Sequence, residues 1–255
     1  MDDLVRFVAP GSWLGRPTAL KDTTLSTNDD ARDLIAQGAS HGTLVVADVQ
    51  TQGRGRRGRT WQSRPGEDLT VSLILRPDLA AAKAPLLALV TGLAVAEALE
   101  GFVPAALRPT VKWPNDVRIG GRKVAGVLVE GSLRDGNLAW VIAGVGINVR
   151  GEAPPPELAG TATTLRAARG GHDLDRDGVL QAVCEAWERR LDGLFAAGFD
   201  SFGDALRARC DTLGQRVTVE GTTGMATSIA DDGGLVLRTD DGAEVIVRAG
   251  DLIEA

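Results

Sequence analysis

The stretch RKVAGVLVEGSLRDGNLAWVIAGVGINV, residues 122–149, decides the fold class. Both halves are apolar and β-branched at strand length, and Asp135-Gly136-Asn137 between them is a hairpin signal. Working outward, strand-like runs occupy Leu107 to Lys112, Leu69 to Leu75, Thr43 to Gln50 and residues 18–25. Ser26-Thr27-Asn28-Asp29 supplies N-cap chemistry for a helix ending at Gly38, and Lys83 to Glu100 reads as a helix apolar enough to be buried. Residues 150–164 read as a loop. Val179, Val183, Trp187, Leu191 and Leu194 mark one face of a long helix, and a shorter helix is expected over 199–210. Hairpins mixed with separated helices predict an α+β domain rather than a doubly wound parallel sheet. Beyond Gly214, four or five short strands predict a small β-barrel-like module that packs on the rest. The expected division is a main domain, 1–213, and a C-terminal β domain, 214–255.

Composition narrows the function. Of 255 residues, 44% are hydrophobic and 24% charged, which excludes wholesale disorder. No window approaches 18 uninterrupted apolar residues, so no membrane span is expected. Met1-Asp2-Asp3 opens no secretory signal, and Cys184 and Cys210 make neither a disulfide framework nor a CxxC metal site, so the cytoplasm is the expected location. A net charge of -6 argues against a wide nucleic-acid-binding face. His41 and His172 stand too far apart for a histidine cluster. Only four basic residues are lysines, Lys21, Lys83, Lys112 and Lys123, in a chain that otherwise uses arginine.

Five segments could carry chemistry. Gly53-Arg54-Gly55-Arg56-Arg57-Gly58-Arg59 combines glycines that let N–H groups converge with guanidinium forks suited to phosphate or carboxylate; a solvated basic loop is the bland alternative. Lys112-Trp113-Pro114-Asn115-Asp116 ends a strand, where turn chemistry explains the last three residues but not the lysine. Gly126 in the third segment, 122–130, marks a bulge or a close approach. Gly144-Val145-Gly146-Ile147-Asn148 repeats that theme and lacks the spacing of a dinucleotide fingerprint. Ser26-Thr27-Asn28 on its own needs no role beyond capping.

Together and in order, STN at 26–28, Gln50 with GRGRRGR at 53–59 and Trp61, KWPND, RKVAGVLVE and GVGIN closely resemble the biotin–protein ligase family. The motifs cover roughly residues 20 to 150. The resemblance implies a catalytic domain like that of class II tRNA synthetases, followed by a small SH3-like domain. It also implies a two-step reaction: ATP and biotin give biotinyl-5′-adenylate with the help of Mg2+, and a lysine of a biotin carboxyl carrier domain then takes the biotinyl group. Carried over by motif, Ser26, Thr27, Asn28, Gln50, Arg54, Gly55, Arg56, Lys123 and Gly126 face biotin. Arg56, Arg59, Trp61, Lys112, Asn115 and Asn148 face ATP or the adenylate. Lys123, Arg56, Lys112 and Asp116 carry the catalytic role, with Asp116 also the candidate metal ligand.

A departure concerns the N-terminus. About 25 residues precede the STN motif, too few for a helix-turn-helix domain, so specific DNA binding is not expected. An exposed sheet surface would serve a homodimer, although no motif specifies one. The main rival, a lipoate– or octanoate–protein ligase of related fold, typically carries an RRxxGGGxVxHD-like stretch, and nothing similar occurs here. The others are a biotin-responsive DNA-binding regulator and a non-catalytic biotin-binding module.

Overall fold

The computed structural model describes residues 9–151, 160–248, 250 and 252–254. The chain forms β1 (Thr18–Thr24), α1 (Thr27–Ala36), β2 (Leu44–Gln50), β3 (Asp68–Leu75), α2 (Ala84–Glu100), β4 (Thr110–Lys112), β5 (Asp116–Ile119), β6 (Arg122–Arg134) and β7 (Asn137–Asn148). It continues with α3 (Leu165–Ala168), α4 (Arg176–Ala197) and α5 (Gly203–Arg207). Five strands follow: β8 (Arg216–Val219), β9 (Thr222–Ile229), β10 (Leu235–Arg238), β11 (Glu244–Val247) and β12 (Leu252–Glu254). The first sheet has seven strands in the order β1-β2-β3-β7-β6-β5-β4. Only its β1–β2 pair is parallel, joined through α1. The expected α+β architecture is the one observed.

Strand alternation gives the large sheet two different faces. Val141, Ala143, Val145 and Ile147 of β7 point into the main core, where α2 and α4 pack. Helix α2 is apolar all round because it is enclosed there, with Leu86, Leu87, Val90, Leu93 and Val95 among its buried residues. Residues Ala81–Glu100 are long and apolar enough to cross a membrane, but they serve as this core helix. On the opposite face, α1 covers a smaller cluster of Ala31, Val45, Ile74 and Ile142. Further along that face the large side chains give way to Gly144 and Gly146, and the sheet is left open.

The second sheet, in the order β11-β10-β9-β8-β12, is antiparallel and small. Its Val217, Val219, Ala226, Ile229, Leu235 and Leu237 join the core of the main domain. The buried Trp113 fastens the second sheet to the first: its Nε1 donates to the carbonyl of Gly233 at 3.0 Å, while its backbone N donates to Thr212 Oγ1 at 3.0 Å, just before the small domain begins. The aromatic of KWPND is therefore a packing residue, while its neighbours serve the cavity described below.

Several local expectations change. Asp116–Ile119 is a strand, not only a turn; Gly120 and Gly121, at φ 56° and 75°, form the tight turn into β6. Gly-Gly between apolar runs was an available hairpin signal. The run from Leu107 shortens to β4, and the helix expected over 199–210 is broken, with only Gly203–Arg207 in α-helical form. The loop expected at 150–164 lies partly outside the described residues, and α3 follows it, capped by Thr164 Oγ1 accepting from Ala167 N at 3.1 Å. The Asp135-Gly136 turn is as expected, both residues adopting positive φ.

Candidate active site

The open part of the sheet, the start of α1 and the 53–61 segment enclose a cavity of about 440 Å³, a size that suits a small-molecule ligand. Every residue assigned a site role from sequence lines it: Ser26, Thr27, Asn28, Gln50, Arg54, Gly55, Arg56, Arg59, Trp61, Lys112, Asn115, Asp116, Lys123, Gly126 and Asn148. Five segments scattered over more than 120 residues thus converge on one place. The lining carries seven cationic side chains (Arg54, Arg56, Arg59, Arg64, Lys112, Arg118, Lys123) against two carboxylates, Asp68 and Asp116. In a chain of net charge -6, this local excess of positive charge marks an anion site.

Ser26 makes no side-chain capping bond, which corrects the N-cap expectation. Instead the buried Thr27 and Asn28 are wired across the sheet. Gln50 Oε1 accepts from Thr27 N at 2.8 Å and Thr27 Oγ1 at 3.0 Å, and Ser72 Oγ lies 2.6 Å from Asn28 Oδ1. Asn28 can approach because Gly144 lies beneath it; a Cβ there would stand 2.3 Å from Asn28 Oδ1. Gly126 and Gly146 are paired in register on adjacent strands, with the Trp61 indole seated over them. The strand glycines therefore mark close approaches by side chains, with no bulge at Gly126.

The 53–61 segment is a hairpin. Gly55 N donates to the carbonyl of Arg59 at 2.7 Å and Trp61 N to that of Gly53 at 2.9 Å. Those two N–H groups are satisfied internally, and the guanidinium groups of Arg54, Arg56 and Arg59 are donors that the segment brings to the cavity lining. Arg56 Nη1 donates to Asn115 Oδ1 at 3.0 Å, and Asn115 Nδ2 to the carbonyl of Val127 at 2.8 Å. Arg54 Nη1 reaches Asp29 Oδ2 at 2.5 Å. Burial raises the Asp29 carboxyl, but hydrogen bonds from Arg54 and Arg32 outweigh it and leave the group below the usual carboxylate range. Lys123 Nζ lies 2.7 Å from Asp116 Oδ1 and 5.6 Å from the Trp61 ring centroid, within cation–π reach.

Several features of the site were not legible in the sequence. Arg118 follows Asp116 on the cavity face of β5 and is invisible without that strand. Thr161, Ala162 and Thr164 form a wall, because Lys123 N donates to the Thr161 carbonyl at 2.8 Å and Asn148 Nδ2 to that of Thr163 at 3.0 Å. Ser72 gave no signal beyond its alternating position. Asp68, paired in register with Asn148, is 2% exposed; Oδ2 accepts from Arg64 N at 3.0 Å, and Oδ1 is buried without a partner. Burial, only partly opposed by that bond and by the Arg64 charge, pushes the Asp68 carboxyl up to about 6.

A raised carboxyl favours the protonated fold, so its ionisation in the folded state opposes stability as pH rises from the unfolded value near 4 through 6. Asp68→Asn removes that penalty. Thermal melts are expected to show a gain on the order of 2 kcal/mol above pH 7 that vanishes below pH 4. A gain independent of pH would contradict this assignment.

Residues 21–148 match the model of the biotin/lipoate A/B protein ligase family, and residues 212–253 that of the biotin protein ligase C terminal domain. A bifunctional ligase/repressor BirA of Bacillus spizizenii is 36% identical over 96% of this chain and 76% of its own. A biotin–[acetyl-CoA-carboxylase] ligase of Paracoccus denitrificans is 36% identical over 89% of this chain and 96% of its own. Among solved structures, the biotin protein ligase of Aquifex aeolicus in complex with biotin and ATP superposes with a TM-score of 0.81 at 33% identity, covering 94% of this chain and all of that one. With its motifs gathered in one basic cavity and both modules matched, the chain belongs to the biotin/lipoate A/B protein ligase family, as a biotin protein ligase.

Proposed function

We propose that this protein activates biotin with ATP and transfers it to a lysine of a biotin carboxyl carrier domain. The observation that carries the reading is the convergence of Lys123, Arg56 and Asn148 on one cavity with a large excess of cations. A biotin carboxylate oxygen attacks the α-phosphorus of ATP, the α–β P–O bond breaks, and pyrophosphate leaves. The neutral ε-amine of the acceptor lysine then attacks the acyl carbon and loses a proton, and AMP departs as the amide forms. Two anions must meet in the first step. Lys123, Lys112, Arg56 and Arg59 offset their repulsion and stabilise charge on the pentacoordinate phosphorus. The ammonium of Lys123 directs a compact charge at a single oxygen, where a planar guanidinium fits less well. Ser26, Thr27, Asn28 and Gln50 supply the polar wall for biotin, and Trp61 with Asn148 that for the nucleotide.

Magnesium fits as a substrate-borne ion rather than a resident one. Among the described residues no three metal-ligating side chains cluster, and Asp116 is the carboxylate of the basic end that would join the phosphate oxygens and water around it. Bound there, it supplies further charge neutralisation.

Carrier labelling tests the reading. Intact-mass analysis is expected to show one biotinyl group added to a carrier domain in the presence of ATP and Mg2+; attachment of lipoate but not biotin would contradict it. A cytoplasmic location suits an ATP-dependent reaction and two free buried cysteines. The function is that of a ligase alone, without the repressor activity named for the Bacillus relative; salt-sensitive binding to a specific operator would contradict it. Among the described residues β1 is an edge strand paired only with β2, and pairing along it would give a homodimer, which sedimentation would detect.

The loop arginine yields a separable prediction. Arg56→Gly removes a charged donor at the adenylate and its tie to Asn115. Escape of biotinyl-adenylate is expected to speed up about 10- to 100-fold, the equivalent of one charge-assisted hydrogen bond, with biotin appearing on bystander lysines. Unchanged retention of the intermediate would contradict the loop's role.

A further inference from the structure

Glu130 lies on β6 opposite Ile142, on the α1 side of the sheet. Glu130 does not line the cavity, yet it touches two residues read as biotin-facing. Its Oε2 accepts from Asn28 Nδ2 at 2.7 Å and from Arg54 Nη2 at 3.2 Å. Arg32 Nη2 lies 3.2 Å from the same oxygen. Arg32 and Arg54 in turn both hold Asp29, at 2.6 and 2.5 Å. Two carboxylates and two guanidinium groups therefore alternate around a closed ring. That ring ties helix α1, the arginine-rich hairpin and the sheet together, and Glu130 is its member from the sheet.

The bond to Asn28 matters most. An amide side chain can present either end to a neighbour, but a carboxylate only accepts. Glu130 therefore fixes the Nδ2 end of Asn28 toward itself, and the Oδ1 end faces Ser72 Oγ. The donor and acceptor that remain on the Asn28 edge are set by this choice. A half-exposed ion pair contributes little by itself. This carboxylate does more, because one group both orients a recognition amide and holds the arginine of the covering hairpin.

We infer that Glu130 is a positioning residue for biotin: it fixes the orientation of the Asn28 amide and latches Arg54, so that the biotin wall and the hairpin are set as one unit. The inference rests on the reading of Asn28 and Arg54 as biotin-facing. Glutamine at 130 keeps the shape and one acceptor but loses the charge that holds Arg32 and Arg54, and its amide can turn either end toward Asn28, so the orientation is no longer fixed.

The test is calorimetric binding of biotin to the full-length protein, comparing wild type, E130Q, Asn28→Ala and the double variant, with melting curves for each. E130Q is expected to weaken biotin binding about tenfold in the wild-type background and less than about twofold when Asn28 is already alanine, the signature of action through a shared partner. A folded E130Q protein that binds biotin like wild type overturns the inference and leaves the site reading intact. Equal losses in both backgrounds overturn it too, since Glu130 would then act without Asn28. A wild-type protein that binds no biotin overturns both. Should E130Q melt too early to measure, Glu130→Asp, which keeps the acceptor but shortens its reach, is read by the same cycle.

Discussion

Lys123→Ala is expected to slow biotin-dependent adenylate formation by about 10²–10³, the range for removing one preorganised group aimed at developing charge. The side chain belongs to the basic lining, with Asp116 at 2.7 Å and the Trp61 ring beside it. Its stability cost is small, because a partly exposed ion pair is worth about 1 kcal/mol or less. Rate and melting temperature should therefore part company: single-turnover adenylation collapses while the melt moves by only a few degrees. A variant with near-normal adenylation and a large loss of melting temperature would make Lys123 a structural residue.

Gly144→Ala is the second large effect, and it arises from geometry alone. The added methyl would stand 2.3 Å from Asn28 Oδ1, well inside contact distance, on a strand held by neighbours on both sides. Asn28 must yield, and its bonds to Ser72 and Glu130 are disturbed as it moves. An amide displaced in this way forfeits its bonds to the ligand, which predicts biotin binding weaker by about 10- to 100-fold. Far-ultraviolet circular dichroism should stay native, since the methyl meets the far end of a side chain and not the backbone. Binding within threefold of wild type would show that Asn28 adjusts freely and that the glycine has no part in the site.

These two residues also show what the sequence made legible. Gly144 and Gly146 were conspicuous because strand interiors disfavour glycine, and the close approaches they imply are made by Asn28 and Trp61. Lys123 stood out against an arginine-rich background. Ser26-Thr27-Asn28 misled in one respect, since its side chains serve the cavity rather than the helix end. Arg118 and Glu130 were hidden for a different reason. Each is a charged residue on a strand, ordinary in local pattern, and only sheet register places one in the lining and the other beside Asn28. Asp68 was hidden likewise: a carboxylate before an apolar run reads as a solvated strand start, whereas neighbouring strands bury it. Local chemistry revealed the groups that are unusual for their element. Groups made special by long-range pairing needed the fold.

The most direct measurement of the account is exchange of labelled pyrophosphate into ATP, with no acceptor protein present. If one electropositive cavity joins biotin to the nucleotide, exchange appears with wild-type protein, ATP, magnesium and biotin, vanishes when biotin is omitted, and is not restored by lipoate. Exchange that proceeds equally without biotin, or that lipoate supports and biotin does not, would contradict it.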